Sequence, residues 1–193
     1  MGNRQLAYRL SLRTRDKPLA SSYGVVDLSA LLHDIGKVGI PDAILHKPGP
    51  LTADEWKVMR QHPEIGRQIL QQAGGIFGVL ARIVVAHHER WDGAGYPLGL
   101  TQESIPLAAR ILAVVDSFDA MTARRVYREP LTIEEARQEL QRCAGSQYDP
   151  EVVDAFLTIL NEQHQEEMAK AEQAAQRDTQ ASAYIGDEMS IPS

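Results

Sequence analysis

The chain has 193 residues, 44% of them apolar, with a formal net charge of -6, six histidines and one cysteine. The apolar share suffices for the core of one ordinary domain, and the negative balance argues against a duplex nucleic-acid binder working through a phosphate-neutralising surface. Cys143 stands alone, which excludes a disulfide framework or a cysteine metal cluster, so any metal is to be held by His and carboxylates. No apolar run reaches membrane-span length and the first residues lack the hydrophobic core of a signal peptide, so the expected compartment is the cytoplasm.

In chain order, residues 1–20 read as an amphipathic helix, with Leu6, Leu10 and Leu12 among Arg4, Arg9, Arg13 and Arg15, broken at Lys17-Pro18. Leu28, Leu31, Leu32 and Ile35 recur at helical spacing, and Gly36 and Gly39 loosen the chain just after them. His33 and Asp34 therefore fall near the end of an apolar helix that is expected to be buried. Breakers from Ile40 to Pro50 predict a loop. Thr52 with Glu55 forms a capping box, opening a helix that carries Trp56 and Met59 and reaches His62-Pro63. Pro63 suits the first turn of a further helix, leaving His62 at a junction. That helix stops at Gly74-Gly75, and Ile76, Leu80, Ile83, Val84 and His87 mark the next one, with His88 beside its end.

From Glu89 to Pro106 the chain is a Gly- and Pro-rich loop, and a loop of that length in a compact helical domain points to function. Pro106 opens a helix with Leu107, Ile111, Val114, Val115 and Phe118 on one face and Asp116 embedded in the apolar run. Arg124-Arg125-Val126-Tyr127-Arg128 follows as a basic cluster. A second capping box, Thr132 with Glu135, starts another helix, and Asp149-Pro150 caps the last, with Val152, Val153, Phe156, Leu157 and Leu160 inward. There is no strand pattern, so the expected fold is all-α. The domain is expected over residues 1–160, with 161–193 a polar tail that frays or is disordered.

His33, His62, His87 and His88 all fall at helix ends, and Asp34 and Asp116 interrupt apolar runs. Isolated buried charges are costly, whereas charges gathered round a metal are not. One shared metal site accounts for all six. The alternative is that each finds its own buried hydrogen bond. His46 and His164 lack such a context and read as surface residues.

His33-Asp34 with Gly36-Lys37, His62, His87-His88-Glu89-Arg90, Gly95-Tyr96-Pro97 and Asp116 together resemble an HD-GYP domain, over about Leu28 to Leu160. That is the branch of the HD metal-dependent phosphohydrolases whose members hydrolyse cyclic di-GMP in bacteria. The resemblance implies an HD-domain-like helical bundle with an HD-GYP C-terminal extension. It also implies a binuclear or trinuclear centre, commonly iron or manganese, and a metal-activated water that attacks phosphorus. On it, Asp34 is the bridging ligand, His33 and Asp116 belong to one metal, and His62, His87 and His88 belong to the other. Lys37 is the residue that stabilises the phosphate or protonates the leaving oxygen, and Arg125 and Arg128 contact ligand phosphate and guanine. Those arginines are equally readable as a solvated turn, and Tyr96, expected to shape the site wall, as part of a packed turn. The partners implied are cyclic di-GMP or a related cyclic dinucleotide, signalling proteins such as diguanylate cyclase domains, and a second copy in a homodimer.

The family usually carries a Glu and a His one helical turn apart on a helix before the HD motif. Residues 1–27 contain neither residue type. The expectation is a chain truncated at its N-terminus relative to the family, with the His33 and Asp116 ion short of one ligand. Two other readings follow: a catalytically impaired remnant that binds nucleotide or a protein, and a phosphohydrolase for another cyclic nucleotide or phosphate ester.

Overall fold

A computed structural model describes residues 7, 9, 10, 13, 23–124 and 129–188, with side chains to residue 174. The helix expected in residues 1–20 lies almost wholly outside them, although Ala7 and Leu10 are fully buried. The described elements are helical, as the absence of alternating strand patterns implied: α1 (Tyr23–Leu32), a 3-10 turn (Ile35–Gly39), α2 (Asp42–Leu45), α3 (Ala53–Met59), α4 (His62–Ala73), α5 (Phe77–Val85), a short 3-10 turn (Gln102–Ser104), α6 (Leu107–Thr122), α7 (Ile133–Cys143) and α8 (Pro150–Glu188).

The boundaries have local causes. At α3 the Glu55 carboxylate accepts from the Thr52 amide at 2.7 Å while the Thr52 hydroxyl accepts from the Glu55 amide, and Thr132 with Glu135 repeats the box at α7. Helix α4 stops at Gly74, whose φ of 68° favours glycine. Asp149 opens α8 by accepting from the Glu151 amide at 2.9 Å.

By contacts the chain divides into Met1–Phe156 and Leu157–Ser193. In the first unit α4 packs on α5 and on the Ile35–Gly39 turn, and α1 packs on α5 and α6. Two apolar clusters hold this together. Leu70, Leu80, Ala81 and Val84 join Val25, Leu32, Ile35 and Phe77, and Ile83, Val85, Ala86, Ile105, Ala109 and Leu112 join Ala30, Leu100 and Ala108. Each fully buried aliphatic side chain contributes about 1.5 to 3 kcal/mol. Phe156 is fully buried, its ring edge-on to Phe118 at 5.1 Å. In the second unit the helix runs on to Glu188, and residues 164–174 are exposed.

The face that α1 buries differs from the expected one. Leu31 is 62% exposed and Leu28 lies at the surface, while Val26 and Ser29 are buried. The leucine spacing is helical, and Leu32 and Ile35 pack on the core as expected, but Leu28 and Leu31 do not; Val25 and Ala30 join Leu32 in the apolar clusters instead.

Candidate metal centre

The site is assembled from helix ends. His33 follows α1, His62 follows α3 and begins α4, and His87 and His88 follow α5. A helix leaves its last carbonyls without intrahelical partners, and three of the four imidazoles take up one of them. His33 Nδ1 donates to Ala30 O at 3.0 Å, His62 Nδ1 to Met59 O at 2.8 Å, and His87 Nδ1 to Val84 O at 2.5 Å. Each partner lies three residues back. A carbonyl only accepts, so Nδ1 carries the hydrogen and Nε2 presents its lone pair.

Those lone pairs converge. His62 Nε2 lies 3.3 Å from His87 Nε2 and 3.2 Å from His88 Nε2, and ligand atoms of all three residues fall within 4.8 Å of one another. The rings are uncharged near neutral pH. Burial first, then the neighbouring His88, holds His87 well below the ordinary imidazole value. Burial lowers His62 as well, and burial with the nearby His62 takes His88 down to about 4. Two bare Nε2 lone pairs facing each other at hydrogen-bond distance cannot bond one another. A cation between them resolves the arrangement, and neutral imidazoles plus carboxylate form a donor set suited to a divalent transition metal.

Asp34 completes the picture. Its Oδ1 lies 3.4 Å from His62 Nε2, whereas its Oδ2 lies 3.5 Å from His33 Nε2 and accepts from Lys37 Nζ at 2.6 Å. One carboxylate therefore presents one oxygen to each histidine group. Burial alone would raise the Asp34 carboxyl, but the Lys37 hydrogen bond and the charges of His33, Lys37 and His62 bring it below its usual value. Asp116 Oδ1 stands 3.8 Å from His33 Nε2. Both carboxylates were expected inside apolar packing, yet the Asp34 and Asp116 side chains are 38% and 46% exposed. They form the open rim of the centre, Asp34 just past the end of α1 and Asp116 within α6, where water has access.

Gly36 makes this geometry attainable. A Cβ there would lie 1.8 Å from the His62 carbonyl oxygen and 2.5 Å from the Gly66 amide, so only glycine lets the His33-Asp34 turn seat against α4. In the following loop, Tyr96 stacks on His88, with centroids 4.9 Å apart and planes at 25°. Burial raises its hydroxyl to about 12. Gly95 is equally constrained, since a Cβ would meet the Arg90 amide at 2.3 Å.

Two participants were not assigned roles from sequence. Buried Glu89 accepts from the Leu98 amide at 2.6 Å and the Leu100 amide at 3.0 Å, and so ties the Tyr96 loop to the His87-His88 pair. A signal existed, because residues 94–100 carry no carboxylate of their own, their amides must be satisfied somewhere, and Glu89 is the carboxylate directly after the pair. Arg60 lies over the Tyr96 ring, 5.2 Å from its centroid, a contact across 36 positions that no local pattern encodes. Arg125 and Arg128 lie outside the described residues, and among those residues no helix is long and apolar enough to cross a membrane.

An all-helical domain that gathers four imidazoles around a shared carboxylate at its helix ends has a donor set that could hold a metal. The chain belongs to the HD domain family, whose sequence pattern matches residues 4–152, and its motifs stand in the order of the HD-GYP branch. It is 51% identical over 138 residues to a cyclic di-GMP phosphodiesterase of Thermotoga maritima, covering 71% of this chain and 38% of that protein. It is 44% identical over 147 residues to a 3'3'-cGAMP-specific phosphodiesterase of Vibrio cholerae, covering 72% of this chain and 28% of that protein. The chain thus spans well under half the length of these curated relatives. Among solved structures it resembles an HDG"Y"P protein from Bdellovibrio bacteriovorus, with a TM-score of 0.63 at 20% identity over 82% of this chain and 50% of that one. That likeness concerns the fold.

Proposed function

We propose that this domain is a metal-dependent phosphodiesterase that opens cyclic di-GMP to the linear dinucleotide or onward to GMP, within bacterial second-messenger signalling. The observation that carries this reading is the division of the Asp34 carboxylate, Oδ1 toward His62 and Oδ2 toward His33. His62, His87, His88 and Asp34 would hold one ion, and His33, Asp34 and Asp116 the other, with iron or manganese best suited to mixed imidazole and carboxylate donors. When bound, divalent ions make water nucleophilic at neutral pH and offset charge on the oxygens of a phosphodiester.

The protein's own groups do the rest. The i-3 carbonyls fix the imidazole tautomers, so the ligand nitrogens are presented without rearrangement. Lys37, held on Asp34 Oδ2, places an ammonium where it can neutralise a phosphate oxygen or give a proton to the departing ribose oxygen. Tyr96, packed on His88, walls the open side, and Arg125 and Arg128 remain proposed contacts to phosphate and guanine.

The test is to purify the protein anaerobically with Mn or Fe and follow cyclic di-GMP by chromatography. Absence of linear product with every metal overturns the reading. The relatives named for cGAMP motivate a second substrate, and a panel of cyclic dinucleotides separates the two. A protein that binds these nucleotides and leaves them intact would be the impaired remnant.

A further inference from the structure

Lys37, the cation nearest the metal centre among the described residues, is engaged by Asp34 at 2.6 Å. Arg60 differs from it. It caps the C-terminal end of α3, is exposed, and makes no ion pair or side-chain hydrogen bond with a carboxylate among the described residues. Its guanidinium is held instead over the Tyr96 ring at 5.2 Å. An aromatic face anchors a guanidinium without neutralising it, leaving its N–H groups free to bind an anion.

Both ends of that contact are fastened to the metal centre. Arg60 directly follows Met59, whose carbonyl accepts from His62 Nδ1 at 2.8 Å. Tyr96 stacks on His88 at 4.9 Å, and its loop is pinned by Glu89. Helix α3 supplies the arginine and the loop after α5 supplies the ring, so the guanidinium is positioned at the mouth of the site by two independent segments. We propose that Arg60 is a substrate-binding residue that takes a phosphate of the incoming cyclic dinucleotide through its planar N–H groups. This rests on the phosphodiesterase reading above, but the anion contact can be judged separately from it.

The experiment compares Mn-loaded wild type with Arg60→Gln and Arg60→Lys. It measures kcat and KM for cyclic di-GMP at several ionic strengths, the affinity for inorganic phosphate by calorimetry, and metal content. Loss of a charge-assisted contact corresponds to a KM about ten- to a hundredfold higher in Arg60→Gln, with kcat within about twofold, a flatter salt dependence, weaker phosphate binding and unchanged metal. Arg60→Lys retains the salt dependence and recovers part of the affinity. A merely structural arginine that props Tyr96 and His88 gives the opposite pattern, with metal loss and a salt dependence left intact. That pattern overturns the proposal, as does equal phosphate affinity in wild type and Arg60→Gln, or no phosphate binding by the wild type. If the wild type ignores cyclic di-GMP yet binds phosphate through Arg60, the substrate reading falls and the anion contact stands.

Discussion

Gly36→Ala isolates the contact that seats the HD turn against α4. The added methyl would sit 1.8 Å from the His62 carbonyl oxygen, 2.5 Å from the Gly66 amide nitrogen and 2.8 Å from the His62 carbonyl carbon. All three obstacles are backbone, so no side-chain rotation relieves them, and the turn must back away by roughly 1.5 Å to restore ordinary contact. Overpacking a well-packed site costs about 1 to 3 kcal/mol. With backbone on every side we expect the upper end, which lowers a urea midpoint by about 1 to 3 M. The same displacement opens the 3.4 Å approach of Asp34 Oδ1 to His62 Nε2, so metal retention should fall with stability. The assay is urea unfolding followed by circular dichroism, with elemental analysis of the folded protein. Gly78→Ala, in α5 with nothing within 4 Å of its added Cβ, serves as the control and should gain about 0.5 to 1 kcal/mol. A Gly36→Ala protein within about 1 kcal/mol of wild type and with full metal content would refute the reasoning.

Asp34→Ala should remove metal from both histidine groups, because its two oxygens face both; unchanged metal content rules out the shared-ligand role. After dialysis against a mild chelator, wild type should keep about one ion per chain, since three imidazoles serve one position and His33 alone the other among the described residues; two or more retained ions contradict this. In the metal-depleted chain, the folded value of His88 is about 4, below its unfolded value of about 6.5. Its contribution, about 3 kcal/mol, is therefore complete above pH 6.5 and lost as pH falls toward 4. His62 and His87 add to the same slope, so a urea midpoint that stays flat over that range, or a His88→Gln variant whose slope is as steep as that of wild type, counts against the assignment. Asp149→Asn removes the negative charge that lies 2.7 Å from buried Arg110, whose bond to the Ile105 carbonyl remains, and should cost about 1 to 3 kcal/mol, which thermal unfolding would detect.

The features legible in the sequence are those whose cause is local. Thr52 with Glu55, Thr132 with Glu135, Gly74 and Asp149 each satisfy or release backbone within a few residues, and each lies where a helix boundary is found. The gathering of His33, His62, His87 and His88 was also foreseeable, because all four fall at predicted helix ends. Contacts across the chain were not. The outward turn of Leu31 depends on which side of α1 meets α5 and α6, and hydrophobic spacing alone leaves that rotation open. The exposure of Asp34 and Asp116 depends on where the bundle opens to water. Glu89 reaches amides nine and eleven positions on, and Gly36 is fixed by a backbone 26 positions away.

The pairing of each imidazole with the carbonyl three residues behind it has a consequence for the field at the centre. Helices α1, α3 and α5 all end where His33, His62 and His87 begin their work. A helix carries roughly half a negative elementary charge at its C-terminus. Three such ends meet at this locus against the one opposite half-charge at the start of α4 beside His62, so the balance favours a cation before any carboxylate is counted. Connecting loops can therefore change in length without disturbing the donors. An extra residue within the last turn of α1, α3 or α5 would instead swing its histidine by about 100°, removing the imidazole from the cluster and the freed carbonyl from beneath it.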